Sequence, residues 1–460
     1  MRTGGNGVQN GEGRGPGRLR DLAALQRIGA VLRILRIIGI VASVAAFLVF
    51  VFSDNWLARV MERAVRQELE EEGLTPSDMR PTPIEGFSVA GTAPVEGDLY
   101  GSTLSADGSG VWIASGDGRL IHYGIAEGTV TRSLPLDEMP SPRDVALAPD
   151  GRLLVADPSG IVGYVDSDGN VEVVYRREGA AVELFPVQAV QDGEALLILN
   201  GGPSPGIVVW TGEAAVARYG YGHVTDMVAR DGYVYVSGGH ESGLPVAKLS
   251  RAGVDTFVPV DTTWIWALSY WDRPFVSLDV DELGFITIVD QAGHLVQLSP
   301  GARVILHAPP HGDGLGDARS VTALPGGALL VVYARGLRTY RLNEAGTMMR
   351  EAVVAASRGD GPGALLLFEQ LVEREPRLQS LRRWLAGAYL SLERPQDAAK
   401  HFYLASDREG FKAAVAAEAY NVRKNRLWGV WVMIMAVTVV IWTLDALLSF
   451  LLEAWTEEEA

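Results

Sequence analysis

The chain has 460 residues, among them 53 glycines, 23 prolines and no cysteine, and its formal net charge is −16. The length allows about two or three domains, and the acidic balance argues against a nucleic-acid-binding protein, which would present a basic face. Without cysteine the chain has neither disulfides nor thiolate chemistry, and its glycine and proline content is typical of a turn-rich β protein.

The N-terminal part of the chain is predicted to anchor it in a membrane. Residues 1–33 are expected to form a disordered cytoplasmic segment, and residues 34–52 a membrane-spanning helix, because residues 37–52 are an unbroken apolar run. A cleaved signal peptide is the alternative, but no pattern of small residues follows Phe52 as a cleavage site requires. Residues 53–82 are predicted to be a juxtamembrane helix followed by a proline-containing linker.

Residues 83–345 contain six copies of a unit in which a strand, a glycine turn and an apolar strand follow one another. The units recur about every 40 residues, which with four strands per unit is typical of the blades of a β-propeller. Residues 87–90, ahead of the first unit, are expected to supply the outer strand that the last unit lacks. Each unit is marked by one turn glycine, in order Gly108, Gly151, Gly193, Gly232, Gly284 and Gly327.

The best-preserved unit, residues 150–157 (DGRLLVAD), resembles the string that recurs in NHL-type propellers. A weaker resemblance is to gluconolactonase-like propellers, whose calcium ligands and acid/base residues have no matching positions in this chain. The NHL resemblance implies the propeller fold and no particular reaction.

Residues 346–425 are predicted to be helical, because the period of the apolar residues changes from about 2 to about 3.6. Small and aromatic residues recur there with the 34-residue spacing of tetratricopeptide repeats, and the segment resembles two such repeats. Arg382 replaces the Trp that the family prefers, and residues 394–395 replace its inter-helix glycine. The matching positions are Ala364, Phe368, Leu385, Tyr389, Ala398, Phe402 and Ala405.

A second membrane-spanning helix is predicted at residues 427–452, and residues 453–460 form an acidic tail. Arg36 in the first helix and Asp445 in the second are each expected to reach the headgroup region. The basic residues before the first helix place the propeller outside the cell, whereas those before the second favour the opposite orientation. Because the first helix usually dominates, we expect a double-spanning protein of the cell membrane, with the propeller and helical repeats on the extracytoplasmic side.

The arrangement as a whole predicts a mainly β fold, in which a six-bladed β-propeller is followed by a small α-helical repeat segment and flanked by two transmembrane helices. It resembles bacterial membrane-anchored proteins with an exported NHL-type propeller, tetratricopeptide-like helices and a C-terminal transmembrane helix. Such proteins are often associated with transport systems. The resemblance therefore implies a membrane-protein partner, of which a transporter is one example.

No catalytic residue, metal site or cofactor is predicted, because the motifs of serine hydrolases, zinc peptidases and P-loop proteins are missing from the sequence. Residues 166–170 have some features of a calcium loop, but an Asp-Gly hairpin turn explains them. His311 and Asp313 could hold a metal ion, and a glycine-rich loop between two blades explains them as well.

Two groups of residues are candidates for ligand binding. Residues that open the inner strands would line one mouth of the channel; the alternative is a solvated rim whose charges pair across it. The second group lies in residues 262–274, where aromatic rings could form a platform for a sugar or a peptide, unless one blade face buries them. The first group includes Arg143, Asp144, Asp226, Arg319 and Ser320, and the second comprises Trp264, Trp266, Tyr270 and Trp271.

The sequence thus favours a non-enzymatic scaffold or sensor that binds an unknown ligand or protein outside the membrane. The alternative is a metal-dependent hydrolase or lactonase of the gluconolactonase-like type. A tightly bound, stoichiometric divalent ion would favour this alternative.

Overall fold

The computed structural model describes residues 16–178, 180, 182–193, 195–202, 205–212, 215–219, 223–239, 246–250, 255–256, 275–312, 314–422, 424 and 428–457. Its strands are short and apolar and are joined by turns, as the repeats predict. Four sheets are meanders of four consecutive antiparallel strands. They comprise β3 (Leu99–Leu104), β4 (Gly110–Ser115), β5 (Arg119–Gly124) and β6 (Thr129–Pro135); β7 (Asp144–Leu147), β8 (Leu153–Asp157), β9 (Ile161–Val165) and β10 (Val171–Arg176); β11 (Pro186–Asp192), β12 (Ala195–Asn200), β13 (Gly206–Trp210) and β14 (Ala215–Tyr219); and β15 (His223–Arg230), β16 (Tyr233–Gly239), β17 (Val246–Ser250) and β18 (Asp255–Thr256).

The other two sheets recruit strands from the start of the propeller. β1 (Ile84–Glu85) pairs in parallel with the outer strand of the fifth sheet, and β2 (Phe87–Pro94) pairs antiparallel with the outer strand of the sixth. The prediction that residues 87–90 complete the last unit is therefore confirmed. The fifth sheet otherwise contains β19 (Phe275–Val280), β20 (Ile286–Asp290), β21 (Leu295–Leu298) and β22 (Val304–Ala308), and the sixth β23 (Ala318–Ala323), β24 (Leu329–Tyr333) and β25 (Gly336–Leu342).

The first strands of the sheets enclose a central channel. Each contacts the first strand of the following sheet, and β23 contacts β3, so the ring closes and the fold is a β-propeller. Five sheets have four strands and the fifth sheet has five. The prediction of six four-stranded blades is thus right for five of the sheets and wrong for the fifth sheet in the chain, which has five strands. The physical reason is that the chain entering the propeller adds β1 to an outer edge whose backbone groups would otherwise be unpaired.

Two glycines of the second sheet confirm the predicted turn chemistry. Gly151 has a φ of 86° and Gly169 a φ of 92°, both in the left-handed region that side chains disfavour. Asp166 accepts hydrogen bonds from the backbone N–H groups of Asp168 and Asn170, at 2.8 and 2.9 Å. Residues 166–170 therefore form the hairpin turn that was preferred over a calcium loop.

The described chain divides into two compact units. One comprises Thr75–Leu392 and Leu404–Ser406, and it contains the propeller. The other comprises Met1–Leu74, Glu393–Tyr403 and Asp407–Ala460.

Three helices follow the propeller within the compact unit Thr75–Leu392, so the predicted change to a helical segment is confirmed. The first two are capped at their N-termini by side chains: Asn343 accepts a hydrogen bond from the Gly346 N–H, and Asp360 from the Gly363 N–H. Phe368 is buried and stacks on Trp384, with ring centroids 6.0 Å apart. The helices are α2 (Glu344–Ser357), α3 (Gly361–Arg374) and α4 (Gln379–Ser391).

Four helices account for most of the described residues of the other compact unit: α1 (Pro16–Glu72), α5 (Pro395–Leu404), α6 (Arg408–Val422) and α7 (Trp428–Glu457). α1 begins inside the segment that was expected to be disordered, because no proline interrupts it after Pro16 and the leucines, arginines and alanines there are good helix formers. The juxtamembrane part of α1 buries Met61, Val65 and Leu69. The Nζ of Lys400 in α5 forms ion pairs with that part of α1, at 2.8 Å from the Glu68 Oε1 and 2.6 Å from the Glu72 Oε1.

Both α1 and α7 contain a stretch that is long and apolar enough to cross a membrane, Arg27–Ala45 and Gly429–Leu451. The two helices contact each other through Arg36, whose Nη1 lies 3.3 Å from the Asp445 Oδ2. The Arg36 guanidinium also lies 3.9 Å from the Trp442 ring centroid. That Arg36 and Asp445 reach the headgroup region stays a prediction, and their pairing means that each charge is compensated by the other.

Candidate functional site

The central channel holds a cavity of about 240 Å³ that is lined by the inner strands of the propeller. Each of the six inner strands contributes at least one polar side chain to the cavity wall, and we call the first such residue of each strand, six in all, the polar ring. The inner strands position these residues because a strand directs every second side chain to the same face. The polar ring consists of Ser102, Asp144, Gln188, Asp226, Ser277 and Ser320.

Hydrogen bonds join neighbouring members of the polar ring across the inner strands. The Gln188 amide donates to the Asp226 carboxylate, whose Oδ2 also accepts the backbone N–H of Leu278 at 2.8 Å. The hydroxyls of Ser102 and Ser320 lie 2.8 Å apart. Most of the polar groups that line the cavity therefore have partners, as buried polar groups require.

Asp144 departs from this pattern. Its side chain is buried, with 8% relative exposure, and its Oδ2 has no hydrogen-bond partner among the residues that the structure describes. Gly101 lies directly against it, since a Cβ at that glycine would be 2.0 Å from the Asp144 Oδ1. The carboxyl therefore packs against the Gly101 backbone in the wall of the cavity. Burial, followed by repulsion from Asp226, raises the pKa of Asp144 well above its ordinary value.

Two further carboxyl groups line the same cavity. Burial raises the pKa of Asp226 to about 6, even though the Ser277 hydroxyl and the Leu278 N–H donate to it. Burial also raises the pKa of Asp279 to about 7, against the N–H groups of Ala323 and Val280 that donate to its oxygens at 2.7 Å. The exposed Arg230 is the only cation among the described residues that line the cavity. The cavity therefore has an excess of acidic groups.

The structure separates the five channel residues that the sequence singled out. Asp144, Asp226 and Ser320 line the cavity, whereas Arg143 and Arg319 do not. The two arginines lie over the Tyr100 ring, at 3.7 and 5.4 Å from its centroid. A strand turns consecutive side chains to opposite faces, so Arg143 cannot share the orientation of Asp144.

Sequence reasoning missed Ser102, Gln188, Ser277 and Asp279 as members of the site. A signal was available, because each residue of the polar ring precedes the marker glycine of its unit by about five to seven positions. Aligning the six units on those glycines would have brought Gln188 to within about two positions of Asp144 and Asp226. The signal is weak by itself, since the residue type changes from one unit to the next.

The remaining candidates do not form a site in the described structure. Trp264, Trp266, Tyr270, Trp271 and Asp313 lie outside the described residues. His311 is exposed and stacks on Tyr340, with ring centroids 6.1 Å apart. Within the described ranges, no group of three or more His, Asp or Glu side chains could hold a metal ion.

Comparison with models of known protein families found no match, and a search of curated proteins also found none. Among solved structures, one titled "Streptogramin B lyase structure" matches with a TM-score of 0.40 and 10% identity, over 56% of this chain and 98% of that one. Another, titled "glucose dehydrogenase", matches with a TM-score of 0.38 and 17% identity, over 55% and 98% of the two chains. Neither likeness bears on the function of this chain.

Proposed function

We propose that this chain is a membrane-anchored binding protein, a scaffold or sensor, whose propeller holds a small ligand in its central channel. The observation that carries the proposal is the buried Asp144 carboxyl, which has one oxygen without a hydrogen-bond partner in the described structure and faces a polar cavity. Leaving such a group unsatisfied costs about 1–3 kcal/mol, and more when it is charged. A ligand that donates to Asp144 would recover this free energy.

The dimensions of the cavity support a small molecule as the ligand. A dry cavity of about 150 Å³ accommodates benzene, so about 240 Å³ has room for roughly ten non-hydrogen atoms. Six polar side chains around such a volume can fix the orientation of a ligand, which is how small-molecule sites achieve specificity. No second function is proposed, because no specific observation favours the hydrolase alternative.

We place this binding module at a membrane, with both apolar stretches spanning it and the propeller on the extracytoplasmic side. The supports are the two apolar stretches, the pairing of Arg36 with Asp445, and the basic residues ahead of the first stretch. The NHL-type character of the propeller and the tetratricopeptide character of α2–α5 belong to the same proposal. A membrane protein such as a transporter is the proposed partner of the helical segment.

If the propeller lies on the extracytoplasmic side, protease added to intact cells should remove it. Any outer layers of the cell are permeabilised first. The physical reason is that basic segments next to a membrane helix are retained on the cytoplasmic side. Immunoblotting for an epitope in the propeller measures the result, with a cytoplasmic protein as the control for lysis. A propeller that stays protected until the inner membrane is broken would show the opposite orientation.

The binding function predicts that a panel of small metabolites contains at least one compound that stabilises the wild-type protein through Asp144. The measurement is the melting temperature of the full-length protein in nanodiscs, with neutral, anionic, cationic and zwitterionic compounds. A ligand at about 100 times its Kd stabilises by about 2.7 kcal/mol, which raises the melting temperature by a few degrees. Asp144→Asn should abolish the shift.

Glu282→Gln is the matched control, because it removes an exposed carboxyl next to the fifth inner strand without touching the cavity. A panel in which no compound gives a shift that depends on Asp144 would reject the channel as the binding site. A stoichiometric, tightly bound divalent ion in the purified protein would instead support the hydrolase alternative.

A further inference from the structure

The charge balance inside the channel restricts the chemistry of the ligand. Three carboxyl groups, those of Asp144, Asp226 and Asp279, line a cavity whose wall, in the described part of the chain, includes one basic residue, Arg230. In an environment of low dielectric constant, an unpaired carboxylate is costly unless a cation or several donors compensate it. The cavity therefore favours a positively charged occupant.

The internal hydrogen bonds show which carboxyl is open to that occupant. Asp226 accepts from Gln188, from the Leu278 N–H and from the Met227 N–H, so both of its oxygens have partners. Asp279 accepts from the N–H groups of Val280 and Ala323. Asp144 also has donors nearby, the N–H groups of Val145 and Ala189 and the Gln188 side chain, but it alone of the three has a buried oxygen, Oδ2, without a partner among the described residues. A donor on the ligand would meet Asp144.

We infer, on the basis of the proposed function, that the part of the ligand facing Asp144 is a nitrogen cation, as in a primary amine or a guanidine. Such a group donates charge-assisted hydrogen bonds to a carboxylate, which are about twice as strong as those between neutral groups. The Ser102 and Ser320 hydroxyls and the Gln188 side-chain carbonyl offer further acceptors around the same cavity. A divalent metal ion is less suited, since the described side chains provide no cluster of three ligands for it.

The pH dependence of such binding has a definite sign. At low pH the three carboxyl groups hold protons and attract a cation weakly. Because burial raises the pKa of Asp226 to about 6 and that of Asp279 to about 7, these two groups ionise within the neutral range, and burial raises the pKa of Asp144 as well. A cation should therefore bind more tightly at about pH 8 than at about pH 5. Arg230 is the one basic residue among the described residues of the cavity wall, and it is exposed.

The same pKa values predict how the empty protein responds to pH. A carboxyl with a raised pKa in the folded state ionises more readily in the unfolded chain. Its contribution to stability is therefore present at low pH and is lost as the pH rises through the folded-state value. A cationic ligand should oppose this loss, so its stabilising effect is expected to be largest at alkaline pH.

The test uses three four-carbon compounds of similar size: putrescine, which is cationic, 1,4-butanediol, which is neutral, and succinate, which is anionic. Titration calorimetry on the full-length protein in nanodiscs, at about pH 8 and with probes up to about 10 mM, measures the affinity. We expect putrescine to bind and the other two compounds not to compete with it. Asp144→Asn should weaken putrescine binding by about 10-fold to 100-fold, the loss of a hydrogen bond to a charged group.

Glu282→Gln should leave putrescine binding unchanged, because the carboxyl that it removes is exposed and outside the cavity. If Asp144→Asn does not fold, the pH dependence of putrescine binding to the wild-type protein tests the inference instead. The affinity should rise at least about tenfold between about pH 5 and pH 8. Equal binding of the diol or succinate, no binding of putrescine, or an affinity that does not rise with pH would each overturn the inference.

This experiment separates the inference from the proposed function. A neutral or anionic compound whose binding depends on Asp144 would overturn the cationic ligand and leave the channel as a binding site. A complete lack of ligands that depend on Asp144 would reject both.

Discussion

Replacing Arg350 with Ala should destabilise the propeller and its following helices by about 3–5 kcal/mol. Arg350 lies on α2, is buried, and donates to the buried Asp281 carboxylate at the end of the fifth inner strand. Its guanidinium also lies 3.3 Å from the Gln297 Oε1 and 4.2 Å from the Phe285 ring centroid. Truncation leaves the Asp281 charge buried without its cation, which costs more than the pair contributed.

Denaturant unfolding of the full-length protein in detergent measures this effect. Arg374→Ala is the matched control, because Arg374 forms an exposed pair with Glu344 at 2.7 Å in the same helical segment and should cost under about 1 kcal/mol. Combining Arg350→Met with Asp281→Asn should recover part of the loss, since the amide oxygen can still accept the N–H groups of Leu283 and Phe285. Similar effects of Arg350→Ala and Arg374→Ala would show that the buried pair does not hold α2.

The second large effect is expected from Phe368→Ala in α3, at about 3–5 kcal/mol. Phe368 is 1% exposed and stacks on Trp384 of α4, so its removal opens a cavity between the two helices. The hydrogen bond from the Tyr389 hydroxyl to Glu369, 2.6 Å long, is not enough to replace that contact. Limited proteolysis should then cut within α2–α4 while the propeller remains resistant.

Leu366→Ala is the control for this prediction, since Leu366 lies on the same helix and is 56% exposed. It should change the free energy of unfolding by less than about 0.5 kcal/mol and leave the cleavage pattern unchanged. If Phe368→Ala resists protease as well as the parent, the helices do not depend on this contact. The interpretation of the segment as packed tetratricopeptide-like repeats would then lose its basis.

Much of the propeller could be predicted because its determinants are local. Gly151 and Gly169 mark turns with a positive φ, and the apolar runs between such turns form strands whatever their partners are. The site was only half predictable. Asp144 and Asp226 were identified from their place at the start of inner strands, but Gln188 and Asp279 were not, because which side chains converge in the channel depends on the register of strands about 40 residues apart.

Long-range contacts also decided features that the sequence did not predict. Arg36 and Asp445 form an ion pair although 409 positions separate them in the chain. β1 adds a fifth strand to one sheet because that edge is open in the folded propeller, which no local pattern indicates. Arg350 looks like an ordinary helical arginine until the fold brings Asp281 and Gln297 to it.

The sequence by itself determined the repeated strands, their glycine turns, the helical segment and the two apolar stretches, because backbone propensity and hydrophobic periodicity act over a few residues. Only the tertiary structure decided that six inner strands close around one channel, that Asp144, whose Oδ2 has no partner among the described residues, lines it, and that the neighbouring arginines contact Tyr100 instead. The physical reason is that burial and charge pairing depend on which distant residues meet, and these also set the raised pKa values in the channel.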